Sequence, residues 1–286
     1  MTLHYRFAGC VAAAALVSMT AAAPGTAATY NLFVQAGTTG QTNSQRGEEA
    51  GTGVSVAGPG SEARADPSVA LHAAATGLGA LPYQPALATA TFFSGYQVAG
   101  SGGAPVSLSL NFELDGELAA EAGVGAVANA SFGYGIETLG QQVNGGASVG
   151  CANGRCVTTR SNIGEAAFVG PSVDADVSLR AETVSEGVLL ATLAASAASS
   201  PGAAARSDFL STFRLASITA EDSILASFPA LSVLFDSGFE MPVTAVGGGP
   251  TPAPVPGPLP LALLLGGLAS LIAVRRSSVR TTALAV

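Results

Sequence analysis

From Val106 to Leu114 the chain alternates apolar and polar residues without a break: Val106, Leu108, Leu110, Phe112 and Leu114 interleave with Ser107, Ser109, Asn111 and Glu113. A period of two puts every apolar side chain on one face of an extended strand, whereas a helix would scatter the same residues around its circumference. A strand with one apolar face needs a second layer to cover it, so this stretch commits the chain to a layered, multi-stranded body. Val173, Ala175, Val177 and Leu179 repeat the pattern against Asp174, Asp176, Ser178 and Arg180. Further strands are expected at 31–35, 53–57, 89–98, 127–136, 209–218 and 231–235, and short helices at 62–77 and 188–198. With no long amphipathic helix between the strands, the expected fold is all-β, an antiparallel β-sandwich or jelly-roll-like body.

Composition narrows what this body meets. All 19 acidic residues lie between Glu48 and Glu240, against seven arginines between Thr29 and Ala245, which leaves this region at −12; lysine is absent throughout. A surface so acidic repels phosphate backbones, and nucleic acid is excluded as a partner on that ground. The apolar fraction of 48% overstates the core, because much of it is Ala, which buries little area.

Both ends have a different character. Residues 1–28 carry Arg6, an apolar run from Phe7 to Met19 and small residues before Ala28, the layout of a secretory signal peptide cut between Ala28 and Thr29 by signal peptidase after engaging the export machinery. Residues 245–258 form a Gly/Pro-rich linker in which proline recurs at every second position from Pro250 to Pro260, a pattern that supports neither a helix nor a sheet ladder. Residues 259–274 hold no charge and are expected to form a C-terminal hydrophobic helix in the membrane. Sixteen residues make about 24 Å of helix, somewhat short of the hydrocarbon core. Arg275 and Arg276 then act as a membrane stop and keep the tail, 275–286, in the cytoplasm, with the body of 29–244 outside it.

The order of Pro-rich motif, short apolar helix and Arg cluster resembles the PEP-CTERM class of sorting signals of Gram-negative bacteria, and Val255-Pro256-Gly257-Pro258-Leu259-Pro260 is similar to its VPLPA-type variant. The resemblance implies recognition by an exosortase-like membrane protease and a final location at the cell surface or beyond. There is no Pro-Glu-Pro triplet, and ten residues follow Arg276, so a retained inner-membrane anchor stands beside cleavage as the alternative.

Within the body, Cys151 and Cys156 flank Asn153-Gly154, the strongest two-residue hairpin signal. Ala152 and Arg155 then close the turn as a hydrogen-bonded pair, and Cys151 and Cys156 become the next pair, close enough for a disulfide. Export places both thiols where such a bond persists.

A search for catalytic chemistry returns little. His4 leaves with the signal, so His72 alone serves the mature body, too few for a His-based zinc site. Gly-x-Ser-x-Gly, Walker and dinucleotide-binding motifs are missing. Asp115 with Glu117, and Asp174 with Asp176, each share one face of a strand, the one arrangement open to polysaccharide chemistry or Ca²⁺. The expectation is therefore an exported, non-enzymatic cell-surface or extracellular-matrix-associated protein without cofactor or resident metal. The alternative is a secreted domain that binds or acts on extracellular polysaccharide.

Overall fold

A computed structural model describes residues 30–79, 84–139, 141–161, 167–169 and 172–246. The expected signal segment with its cleavage point at Ala28 and Thr29, the expected sorting motif, the expected hydrophobic helix and Arg275 and Arg276 lie outside the described residues. Among the described residues no helix is long and apolar enough to cross a membrane.

The body is all-β. In chain order its strands are β1 (Asn31–Thr38), β2 (Gln41–Gly47), β3 (Val54–Gly58), β4 (Ser61–Asp66), β5 (Ala70–Thr76), β6 (Ala86–Ala99), β7 (Val106–Ala122), β8 (Val127–Thr138), β9 (Gln141–Ala152), β10 (Arg155–Ser161), β11 (Ala167–Val169), β12 (Ser172–Val184), β13 (Glu186–Ser199), β14 (Ala203–Ala220), β15 (Ser232–Phe235) and β16 (Glu240–Ala245). One short helix, α1 (Asp222–Ser227), joins β14 to β15.

The strands form two ladders. In the first the order is β10-β9-β8-β13-β6, and the far side of β6 is shared by β1 along Ala86–Phe93 and by β15 along Tyr96–Ala99, with β2 beyond β1. In the second, β11-β12-β7-β14 continues into β5, β4 and β3. β16 joins them, pairing antiparallel with β15 and parallel with the end of β14, from Ile218↔Val243 to Ala220↔Ala245. The described sheet is therefore mixed, a correction to the wholly antiparallel expectation. After pairing with β15 the chain crosses to the other ladder and reaches β14 running the same way.

Alternation explains which face each strand buries. Leu108, Leu110, Phe112 and Leu114 of β7 are at most 2% exposed, as are Phe209 and Phe213 of β14. They face the inward residues of the first ladder: Phe132 and Phe209 rings lie 4.3 Å apart, Tyr134 and Phe213 rings 5.7 Å. Ser207 of β14 donates to the Ser131 carbonyl of β8 at 2.8 Å, a buried polar tie between the same strands. The apolar groups among these belong to one core cluster.

The helices expected at 62–77 and 188–198 are strands. Ala63, Ala65, Ala73 and Ala75 alternate inward from β4 and β5, and Leu189, Ala191, Leu193, Ala195 and Ala197 from β13. Ala favours a helix in isolation, but here tertiary packing overrides propensity. The Cα atoms of β5 come within 8 Å of those of β6 and β13. That is closer than the ~10 Å at which stacked sheets usually lie, and only a small side chain fits. Alanine, discounted as core material on composition, lines this narrow part of the interior.

Candidate functional site

The second ladder turns a polar face to solvent, and it gathers the sequence-identified carboxylates. Asp115 and Glu117 stand on β7, Asp174 and Asp176 on β12, and the antiparallel register sets Asp115 directly opposite Asp174 and Glu113 opposite Asp176. On the other side of β7, Glu117 faces Asp208 of β14. Like charges facing each other across a ladder are unfavourable, and exposure to water is what makes Asp115 opposite Asp174 tolerable.

Arginines answer most of the remaining charge. Arg214 reaches Glu113 through Nη2 at 2.8 Å and through Nε at 3.1 Å. Arg206 bonds Asp208 and lies 3.8 Å from Glu117, and these two carboxylates, Asp208 first, hold its guanidinium above its ordinary pKa. These pairs are water-exposed and add little to stability individually. Asn111 organises the end of the face, accepting from Ser178 at 2.7 Å and donating to Ser217 and Thr219 at 3.2 Å each.

His72 stands on β5 of this ladder. Its Nδ1 bonds the Leu210 carbonyl, its Nε2 is 3.3 Å from Asp66 Oδ2, and Arg64 lies 3.0 Å from Asp66 Oδ1. Leu210 protrudes because the register between β14 and its neighbours shifts between Phe209 and Phe213. Both ring nitrogens are engaged with acceptors of the fold, which is the geometry of a structural tie between β4, β5 and β14.

Cys151 and Cys156 form a disulfide across the β9–β10 hairpin, with Cα atoms 4.1 Å apart and in direct register. Asn153 and Gly154 both adopt positive φ, 52° and 72°, as a type I′ turn requires.

Comparison with protein-family models, with curated proteins and with solved structures finds no match.

Sequence reasoning missed one group. Asp236 follows β15 and folds over the outer side of β6 above Gly95, where a Cβ would overlap its carboxylate. Its Oδ2 is shielded from water without a hydrogen-bond partner, and burial raises its pKa against a weaker opposing bond from the Gly95 backbone. Nothing local marks such a residue, since Phe235-Asp236-Ser237-Gly238 reads as an ordinary turn. Among the described residues no group of three or more His, Cys, Asp or Glu side chains is placed to hold a metal ion.

Proposed function

We propose that this chain is an exported, non-enzymatic protein of the cell surface or extracellular matrix. Its body is a two-layered β-sandwich, delivered through its N-terminal signal and held or sorted by its PEP-CTERM-like C-terminal segment. The observation that carries the export reading is the pair of apolar terminal segments, each flanked by arginine on the side that stays inside. The Cys151–Cys156 disulfide agrees with it, since such a bond persists in oxidising compartments and is rare in the cytosol. The non-enzymatic reading is supported by the outer face of the second ladder, where His72, Arg64, Arg206 and Arg214 are each engaged by groups of the fold itself.

Fractionation of cells expressing the tagged full chain tests this: the body is expected in envelope or extracellular fractions, and recovery only from the cytosol defeats it. Mass spectrometry of the mature C-terminus separates the two fates, a cut near Pro260 for exosortase-type sorting or an intact Val286 for a retained anchor.

The polysaccharide reading draws on Asp115 standing opposite Asp174. It predicts binding on a glycan array and a loss of turnover of at least about a hundredfold on Asp115→Asn, the scale for removing a general acid or base; absence of both binding and turnover disposes of it.

A further inference from the structure

Strand β10 is an edge of the described sheet. It pairs with β9 and, among the described residues, with no other strand. All seven of its residues are exposed, Val157 at 69%. Natural sheets protect such edges from pairing with another chain by brevity, proline, charged side chains or a bulge. β10 has no proline, its two charges, Arg155 and Arg160, lie toward its ends, and its register with β9 runs unbroken from Arg155↔Ala152 to Ser161↔Gly146.

The phase of its hydrogen bonds follows from the turn. In a two-residue hairpin the residues that flank the turn exchange both bonds, so Ala152 and Arg155 are a bonded pair and Cys151 and Cys156 are not. The 4.1 Å between the Cys151 and Cys156 Cα atoms belongs to the closer, non-bonded kind of pair. Alternation then points the N–H and C=O groups of Cys156, Thr158 and Arg160 away from β9, along the open edge.

We infer that β10 pairs antiparallel with β10 of a second copy of this chain, about a two-fold axis through Thr158. Among the described residues the strand runs from Arg155 to Ser161, with Thr158 at its centre, and all seven find an opposite number. Thr158 faces Thr158, Cys156 faces Arg160, and these are the positions whose backbone groups point outward, so the bonds of both copies are in phase. Val157 faces Thr159, which makes the middle of the junction a run of β-branched cross-strand pairs, a favoured kind. Arg155 faces Ser161, so no arginine meets its copy. A slip of one residue in either direction puts outward groups opposite inward ones, and in one direction it also sets Arg155 against Arg160.

Charge selects the same place. The body is strongly acidic, and two copies repel over most of their surfaces, yet β10 itself carries no carboxylate and holds Arg155 and Arg160. The edge is also held in shape before any partner arrives. The disulfide crosslinks it, Gly154 donates to the Ala122 carbonyl at 3.1 Å, and Asn153 Oδ1 accepts from the Gly125 N–H at 3.0 Å. A preordered strand loses less entropy on pairing. The contact is isologous and closes as a dimer.

Sedimentation velocity on the full-length chain in detergent, over a dilution series, tests the inference. The wild type is expected to show a concentration-dependent dimer. Thr158→Pro is expected to raise its dissociation constant at least about tenfold, because it removes an outward N–H at the axis while leaving the bonds to β9 intact. An unchanged far-ultraviolet circular dichroism spectrum shows that the variant folds. In a Cys10→Ser background, Thr158→Cys is expected to close a disulfide between copies on oxidation. Thr159→Cys, which faces Val157, is not, and this pair of variants decides the matter even if Thr158→Pro fails to fold. A chain that stays monomeric throughout, a dimer indifferent to Thr158→Pro, or equal crosslinking by Thr159→Cys overturns the inference. So does capture of an extended acidic peptide along β10 by a chain that does not self-associate.

Discussion

Asp236 sits in surroundings that oppose its ordinary behaviour. Burial raises its pKa, so the folded state binds its proton more tightly than the unfolded chain does. The sign follows: its contribution to stability is complete below the unfolded pKa of about 4 and is lost as pH rises through the folded value. Asp236→Asn is therefore expected to stabilise the protein at pH 7 and to have little effect near pH 3, read as the difference in urea midpoint between wild type and variant at the two pH values. An equal shift at both would contradict the assignment. In the interior the expectation is simpler. Phe213 is fully buried and stacks on Phe112 at 5.5 Å, so Phe213→Ala is expected to cost about 3–5 kcal/mol by denaturant titration.

At the level of elements, the β9–β10 hairpin is the best-determined feature. Its disulfide closes a very short loop, and replacing both Cys151 and Cys156 by Ser is expected to lower stability by only about 2 kcal/mol, measured by thermal or urea unfolding. This hairpin was legible in the sequence because turn type, register and cysteine spacing are all local. The alternation in β7 and β12 was legible for a related reason, since a strand half in water must write its burial into every second residue. Ala-rich β5 and β13 were not, because alanine reveals neither period nor preference for a strand until a neighbouring layer crowds it. Polar, exposed β2 carries no apolar stripe at all. The parallel pairing of β16 with β14 lies between distant segments and leaves no local mark. The candidate site divides the same way. That Asp115 and Glu117 share a face follows from spacing; that Asp115 confronts Asp174, or that Arg214 answers Glu113, depends on which strands become neighbours.

On the scale of the whole molecule, charge and apolarity are segregated along the chain. The acidic, disulfide-bonded, all-β body lies between two uncharged apolar stretches, with arginine at Arg6 before the first and at Arg275 and Arg276 after the second. The proposed export rests on this layout, which by the positive-inside rule would carry the body across the membrane and leave both arginine-bearing ends behind. The body's surplus of carboxylates suits an exposed, soluble surface, and its outer face is expected to tolerate conservative replacement of Glu113 and Arg214 with small loss, since exposed ion pairs contribute at most about 1 kcal/mol. The most direct measurement is a topology fusion in which residues after Ala245 are replaced by a reporter enzyme that is active only in an oxidising compartment. The account predicts full activity that disappears when residues 1–28 are deleted. A reporter inactive with the leader in place, its protein accumulating in the cytoplasm, would contradict it.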